Sequence, residues 1–398
     1  MTTSRAPGAR TAWFTEQDVQ LADFLAVVGA TTHLADYPTA DRVERNVLIY
    51  DSARLSAATR TPTGRKEVQA ELASALMDGP GLVVFTAAFP DTSVVDRASA
   101  EFNAMIDVQR ASGATSGDHF AKPGANDRVW NALEKLAVRE PDVFVDYYAN
   151  DIIALVSEAW LGPSYQVTSQ VNVVNPGGAA QTAHRDYHLG FQTNDVAERY
   201  PAHVHRLSPV LTLQGAVAHT DMPVESGPTQ YLPHSQKYEP GYLAWRRPEF
   251  REHFEATFVQ LALAKGDAAF FNPALFHAAG TNRSADIRRM ANLLQVSSAF
   301  GRAMESVDRE KMSNAVYPAL LAARAAGAEA QSLAAAVAAC ADGYSFPTNL
   351  DRDQPVGGLA PETQAQLLAR AVEERWDPTR LRKELAAYAD RRRTDEVR

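Results

Sequence analysis

The feature that most constrains this chain is the segment QTAHRDYHLGF, in which one residue separates His184 from Asp186. Side chains two positions apart on a β-strand point to the same face of the sheet. A further histidine, His277, follows far downstream in KGDAAFFNPALFHAAGTNRSADIRRM. Two imidazoles and one carboxylate form the facial triad that holds non-haem iron and leaves coordination positions open. We therefore predict that His184, Asp186 and His277 bind a metal.

Other histidines compete for a place in this ligand set. His188 shares the face of His184 if the strand continues. However, three ligands at two-residue spacing would span about 13 Å at roughly 3.3 Å per residue, too far for one metal. We expect His188 to lie near the substrate or to be packed. The pair His203 and His205 follows Tyr200-Pro201 in a predicted loop, where a solvated or structural role is expected.

Three arginines follow His277, namely Arg283, Arg288 and Arg289. The loop GTNRSAD is centred near residues 282–283, so a returning chain places Arg288 at the depth of His277 and turns Arg289 to the opposite face. A guanidinium can bind a carboxylate through two parallel hydrogen bonds. We predict that Arg288 holds the far carboxylate of an organic cosubstrate. The alternative is an ion pair with an aspartate such as Asp267.

Two amides stand on an upstream apolar strand. Gln170 and Asn172 alternate with Val171 and Val173, which predicts that both amides share one face. They would bind the cosubstrate, or bond to each other and to the backbone.

The order of these motifs resembles that of the phytanoyl-CoA dioxygenase family. The shared features are His184-x-Asp186, the segment ESGPTQYLPHSQK at 225–237, and His277 followed by Asn282, Ser284 and an arginine eleven positions after the histidine. The resemblance covers roughly residues 79–300. It implies an Fe(II)- and 2-oxoglutarate-dependent oxygenase that uses O2 and forms succinate and CO2.

Two departures from the family pattern affect expected contacts. Residues 233–236 read Pro-His-Ser-Gln where the family commonly has Pro-Gly-Ser-His, and Ala279 stands where a small hydroxylated residue is frequent. The second change removes one expected hydrogen bond to the cosubstrate. The carboxylate of Asp186 argues against halogenation, because related halogenases have a small residue at that position.

The resemblance implies oxidation of a C–H bond in a small to medium organic molecule, such as an intermediate of secondary metabolism, with hydroxylation as the default. Desaturation, epoxidation and cyclisation use the same residues. Two other classes stay open. A cupin-type metal enzyme without 2-oxoglutarate would not need Arg288, and a catalytically silent binding protein would have no reason to keep the triad.

Candidate substrate residues lie beside the ligand motif and in a Gly- and Pro-containing segment that could act as a lid, SGDHFAKPGANDRVW. They are Arg185, Tyr187, His188, His119, Phe120, Arg128 and Trp130.

Short apolar runs separated by turn residues predict a mainly β core built as a sandwich or barrel. The resemblance implies that this core is a double-stranded β-helix, that is, a cupin-like jelly-roll, with flanking helices at both ends. We divide the chain into an N-terminal tail and helices (1–78), an oxygenase core with inserted helices (79–300) and a C-terminal helical region (301–398). LVVFTAAF is predicted as the first core strand, TFVQLAL as a later strand, and 93–111, 128–137 and 143–160 as helices. The C-terminal helices would pack on the core, cover the site or form a homo-oligomer contact.

The overall composition limits the classes of binding partner that this chain can have. The net charge of −9 argues against nucleic acid, because phosphate binding needs clustered Lys and Arg. A single cysteine, Cys340, excludes an internal disulfide framework. The N-terminus lacks a signal-peptide pattern, and no apolar run approaches the ~18 residues of a membrane span. These features predict a cytoplasmic protein with a small-molecule substrate.

Overall fold

A large mixed sheet and a small antiparallel sheet form the centre of the protein. The computed structural model describes residues 11–112, 125–355 and 357–394. Within these residues the large sheet has eight strands in the order β1-β2-β3-β8-β6-β10-β5-β4, and the small sheet pairs β7 with β9. The strands are β1 (Arg42–Glu44), β2 (Val47–Asp51), β3 (Leu82–Thr86), β4 (Asn126–Val129), β5 (Gln166–Val174), β6 (Thr212–Ala218), β7 (Gln230–Leu232), β8 (Ala268–Phe271), β9 (Phe276–Ala278) and β10 (Arg289–Ser297).

Helices cover the outer face of the large sheet and both ends of the chain. They are α1 (Leu21–Val28), α2 (Ser52–Ala58), α3 (Pro62–Met77), α4 (Ser93–Ala111), α5 (Ala132–Arg139), α6 (Pro141–Tyr148), α7 (Asp151–Leu161), α8 (Asn194–Ala197), α9 (Ala202–Leu207), α10 (Gly241–Ala244), α11 (Pro248–Thr257), α12 (Arg309–Ala325), α13 (Ala330–Cys340), α14 (Gln364–Glu374) and α15 (Pro378–Arg391). None of the helices within the described ranges has the length and apolar content needed to cross a bilayer.

Alternating side chains place two separate cores on the two faces of the large sheet. In β3, Val83 and Phe85 belong to the core shared with the helices, whereas Leu82 and Val84 pack towards the small sheet. The same alternation holds in β10, where the even-numbered Met290, Leu294 and Val296 enter the helical core. The odd-numbered positions of β10 therefore face the space between the two sheets.

β10 lies between two antiparallel neighbours and sets their register. Leu293 is opposite Gln170 of β5 on one side and Ala216 of β6 on the other. Gln295 is opposite Gln214 of β6. The residues that face the inner space on three adjacent strands are therefore fixed relative to one another.

The N-terminal region contributes strands that the sequence does not predict. The sequence pattern predicts only a tail and helices before residue 79, with LVVFTAAF as the first core strand. Instead, β1 and β2 precede it, and β2 pairs in parallel with β3. Residues 42–51 thus belong to the large sheet.

Three other element predictions differ from the structure. TFVQLAL forms no strand, although Val259 and Leu263 make isolated β-bridges. Arg128, predicted to begin a helix, lies in β4. The helix predicted over 143–160 is divided into α6 and α7, because Asn150 caps the second helix by accepting a hydrogen bond from the backbone N–H of Ile153 at 3.0 Å.

The C-terminal helices pack mainly on the helical layer. α12 contacts α5 and α6, and α13 contacts α6 and β5. Arg309 joins this region to the sheet by donating to the backbone carbonyl of Val167 at 2.8 Å. Of the three roles expected for these helices, the structure shows packing on the core.

We expect Leu48→Ala to lower the free energy of unfolding by about 2–5 kcal/mol, because Leu48 of β2 is buried in the helical core and its removal leaves a cavity. The change is measured from urea unfolding midpoints. Leu359→Ala is the control, since Leu359 is 99% exposed and its loss should change stability by less than about 0.5 kcal/mol. Equal stability of the two variants would mean that β2 is not part of the core.

Candidate metal centre

A backbone bridge between two distant segments brings the predicted ligands together. The N–H of His184 donates to the carbonyl of His277 at 3.0 Å, and the N–H of His277 donates back at 3.2 Å. The N–H of Asp186 donates to the carbonyl of Pro273 at 3.1 Å. As a result, ligand atoms of His184, Asp186 and His277 all lie within 4.8 Å of one another.

Both imidazole rings are oriented by backbone carbonyls. Nδ1 of His184 lies 2.8 Å from the carbonyl of Thr182, and Nδ1 of His277 lies 2.9 Å from that of Leu275. A carbonyl only accepts hydrogen bonds, so each Nδ1 carries the proton and each Nε2 offers its lone pair. The two Nε2 atoms lie 3.6 and 3.3 Å from the Asp186 carboxylate.

Asp186 is held in its ionised form. Burial alone would raise the pKa of this carboxyl, but His184, His277 and Gln214 together bring the pKa well below its ordinary value. Nε2 of Gln214 donates to Oδ2 of Asp186 at 2.5 Å. Two neutral imidazoles and one carboxylate on one side of a cavity fit the ligand set of Fe(II).

The three ligands open into a cavity of about 230 Å³ between the sheets. Its wall combines apolar side chains with a few amides and two arginines. The polar and charged lining residues beyond the triad include Arg128, Gln170, Asn172, Gln181, Gln214, Thr229, Arg289 and Gln295.

Residues 68–290, more than half of the chain, match the model of the family described as Phytanoyl-CoA dioxygenase (PhyH). The chain belongs to this family. The predicted family is thereby confirmed. The cluster of His184, Asp186 and His277 fits the predicted Fe(II) cofactor.

Similar proteins include the dioxygenase cdmD of Talaromyces verruculosus, which is 34% identical over 116 residues. That match covers 29% of this chain and 34% of the relative, so the chain spans about a third of the length of the curated relative it matches. Similar solved structures include the non-heme alpha ketoglutarate dependent epimerase SnoN from nogalamycin biosynthesis, at 20% identity and a TM-score of 0.40 over 60% of this chain and 82% of that one. The carbocyclase SnoK from the same biosynthesis is also 20% identical, with a TM-score of 0.40 over 57% of this chain and 83% of that one.

The structure places Arg289, not Arg288, in the cavity of this phytanoyl-CoA dioxygenase family member. The Arg288 side chain is 47% exposed, donates to Oδ1 of Asn175 at 3.4 Å and lies 4.0 Å from Asp127. Arg289 begins β10, is 6% exposed and lines the cavity. The prediction of Arg288 assumed a symmetrical loop. In the structure β10 pairs with β5 from Arg289 onwards, and the odd-numbered residues of β10 face the cavity. Asp267, the predicted alternative partner of the arginine, instead accepts backbone N–H groups of Ala87 and Ala264.

Gln170 and Asn172 line the cavity together, on the shared face that the alternating pattern predicts. Gln170 Oε1 accepts a hydrogen bond from Nη1 of Arg128 at 2.8 Å. Among the described residues, Gln170 Nε2 and Asn172 Oδ1 are buried with no hydrogen-bond partner. The two amides therefore retain capacity to bind a ligand, and that role stays a prediction.

The predicted substrate residues separate into three groups. Arg128, Trp130 and Tyr187 line the cavity. Arg185 and His188 do not appear in its wall. His119 and Phe120 lie outside the described residues.

Arg185 is a structural residue in this fold. Its Nη2 donates to the carbonyls of Ser235 and Tyr238 at 2.6 and 2.9 Å. Its guanidinium lies 5.2 Å from the ring centroids of both Tyr242 and Phe276. The prediction that Arg185 contacts the substrate is wrong because the side chain is buried in the loop that follows β7.

The His188 side chain does not line the cavity, because the backbone turns after Asp186. Tyr187 and His188 have φ values of 62° and 44°, so the alternation of the predicted strand ends at Asp186. Nδ1 of His188 lies 3.2 Å from Ser208 Oγ. The other rival, His205, is buried in α9 with its Nε2 3.0 Å from the carbonyl of Ala197.

Several residues of the cavity are not among those predicted from the sequence. Gln214 and Gln295 each interrupt an apolar strand, which is the same signal that identified Gln170 and Asn172. Phe191 and Met304 also line the cavity, but no sequence pattern distinguishes them from other apolar residues.

We expect Gln214→Leu to weaken Fe(II) binding by about 10- to 100-fold, because the Asp186 carboxylate loses the side chain that orients it. Metal affinity is measured by anaerobic equilibrium titration. Gln17→Leu is the matched control on the exposed surface and should bind iron as the parent protein does. Equal affinity in both variants would exclude an orienting role for Gln214.

Proposed function

We propose that this protein is an Fe(II)/2-oxoglutarate-dependent oxygenase that oxidises a C–H bond of a small to medium organic substrate and forms succinate and CO2. Hydroxylation is the simplest outcome of this chemistry. We also propose that the two facing sheets form a double-stranded β-helix. The observation that carries the function is the presence of the buried Arg289 in the same cavity as the His184, Asp186 and His277 triad.

In this proposal His184, Asp186 and His277 would hold the metal. His184 and His277 would bind it through Nε2, since each Nδ1–H is bonded to a carbonyl, and Asp186 would bind it through its ionised carboxylate. Fe(II) with bound 2-oxoglutarate supplies the oxidising chemistry. The protein keeps the ligands oriented and encloses the substrate in a cavity between the sheets.

Arg289 is suited to bind the distal carboxylate of the cosubstrate. Burial lowers its pKa to about 10, so the guanidinium remains charged at neutral pH. Nη1 is buried without a hydrogen-bond partner among the described residues. A buried cation without a counter-charge is costly, and a carboxylate ligand would offset that cost through two parallel hydrogen bonds.

The two competing classes account for the cavity less well. A cupin-type enzyme without 2-oxoglutarate would leave Arg289 buried with no anionic partner. A silent binding protein would have no use for two rings whose Nε2 atoms converge on an ionised carboxylate. Ala279 lines the cavity without a side-chain donor, which leaves the guanidinium as the principal anchor for the cosubstrate.

The function is tested by anaerobic addition of Fe(II) and then 2-oxoglutarate to the metal-free protein. A visible charge-transfer band between the metal and the keto acid is expected. Succinate should then form when O2 is admitted. Iron binding without such a band would exclude 2-oxoglutarate as the cosubstrate and favour the cupin-type class.

We expect Arg289→Gln to weaken 2-oxoglutarate binding at least ~30-fold, because truncating one partner of a buried charge pair costs about 2–5 kcal/mol. The dissociation constant is read from the charge-transfer band. Arg288→Gln is the matched control, since the neighbouring arginine lies outside the cavity and its loss should leave the constant unchanged. The opposite ranking would restore Arg288 as the anchor.

A further inference from the structure

We propose that the hydroxyl of Tyr231 donates a hydrogen bond to the distal carboxylate of the cosubstrate, alongside the guanidinium of Arg289. This inference rests on the proposed function, because it assumes that 2-oxoglutarate occupies the cavity. It assigns to Tyr231 the hydrogen bond that Ala279 cannot make. It also makes Tyr231 a residue that selects keto acids with a second carboxylate over those without one.

The backbone of Tyr231 is fixed from both sides. Tyr231 lies at the centre of β7, opposite His277 of β9. On its other side the N–H of Tyr231 donates to the carbonyl of Val259 at 2.9 Å, and the N–H of Val259 donates back at 2.8 Å. Since His277 is also paired with His184, these four residues form one row across adjacent segments. Side chains directly opposite each other share one face, so Tyr231 stands beside the metal ligands.

The Tyr231 side chain forms part of the cavity wall. It is 5% exposed and lines the cavity together with His277. Its ring packs edge-to-face on that of Phe271, with the ring centroids 5.2 Å apart. The centroid of the Phe271 ring lies in turn 4.7 Å from that of His277. These contacts restrict the tyrosine ring, which reduces the entropy lost when its hydroxyl binds a ligand.

A second hydroxyl lies on the same part of the wall, across from Ala279. The pairing of Gln230 with Ala278, continued by one residue, places Thr229 opposite Ala279. Both Thr229 and Ala279 line the cavity. Thr229 precedes Tyr231 by two residues, so the two hydroxyl-bearing side chains share one face. The hydroxyl that residue 279 lacks is therefore available from the adjacent segment.

Arg289 approaches the same region from the opposite sheet. It begins β10 of the large sheet, whereas Tyr231 belongs to the small sheet, and both side chains line the cavity. Burial lowers the pKa of Arg289 and Tyr231 acts to raise it, while Arg289 acts to lower the pKa of Tyr231. Reciprocal effects of this kind arise between groups that lie close together. A carboxylate bound to Arg289 would therefore lie within reach of the Tyr231 hydroxyl.

The Tyr231 hydroxyl is suited to donate. Burial raises its pKa to about 12, so the proton is retained at neutral pH. The hydrogen bond with the Thr229 side chain acts to lower this pKa, which identifies the Tyr231 oxygen as its acceptor. A tyrosine hydroxyl can accept one hydrogen bond and donate another. Its O–H is thus available for an anionic ligand.

The experiment compares 2-oxoglutarate with 2-oxopentanoate, which has the same chelating end but a methyl group in place of the distal carboxylate. Dissociation constants are read anaerobically from the charge-transfer band of the Fe(II)-loaded protein. We expect Tyr231→Phe to weaken 2-oxoglutarate binding at least about fivefold, since a hydrogen bond to a charged group is lost. Binding of 2-oxopentanoate should be unchanged, because it has no carboxylate for the hydroxyl to bind.

Tyr242→Phe is the matched control. It removes another buried tyrosine hydroxyl, from a residue that is not part of the described cavity wall, and should leave both constants unchanged. A rescue variant combines Tyr231→Phe with Ala279→Ser. It should regain at least about threefold in affinity for 2-oxoglutarate, because it returns a hydroxyl to the adjacent segment.

An equal loss for both keto acids, or no recovery with Ala279→Ser, would mean that Tyr231 acts through packing and that this inference is wrong. If Arg289→Gln weakens 2-oxoglutarate binding and Tyr231→Phe does not, this inference also fails, while the proposed function stands. If the charge-transfer band never forms in the parent protein, the proposed function fails and takes this inference with it.

Discussion

The antiparallel pairing of His184 with His277 is the constraint on which the site depends. These residues are ninety-three positions apart in the chain, and two reciprocal backbone hydrogen bonds fix them side by side. Each ring is then held by the carbonyl two residues before it, Thr182 in one case and Leu275 in the other. The bridge thus determines both the separation and the direction of the two Nε2 atoms. Asp186 enters the site because it follows this bridge by two residues.

The turn after Asp186 connects the metal side to the large sheet. Tyr187 and His188 adopt positive φ, which costs of order 1–3 kcal/mol for each residue and requires support from the surroundings. That support is visible in two contacts: the Tyr187 hydroxyl donates to the side chain of Gln295, and His188 meets Ser208. Gln295 lies opposite Gln214, the residue that orients Asp186. The strained turn and the carboxylate ligand are therefore stabilised from adjacent positions of β10 and β6.

Local patterns in the sequence were sufficient to predict part of the site. Apolar alternation placed Gln170 and Asn172 on one face, and spacing selected His184, Asp186 and His277. The prediction of Arg288 was wrong because it depended on the residue at which β10 begins. That residue is set by pairing with β5 and β6 rather than by the loop itself.

Long-range contacts explain the other failures. The backbone turn at Tyr187 is supported by Ser208 and Gln295 from distant parts of the chain, so alternation could not predict that His188 points elsewhere. Strands β1 and β2 are short and join the sheet beside β3, which the local composition of residues 42–51 does not reveal. The burial of Arg185 depends on carbonyls of residues 235 and 238.

The rim of the cavity is built from other parts of the chain than its metal side. Met304 lies beyond the 68–290 stretch that matches the family, and β4 is one of the two edge strands of the large sheet. Substitutions at this rim leave the bridge between residues 184 and 277 untouched. Substrate range could therefore diverge during evolution while the oxidising centre is inherited unchanged.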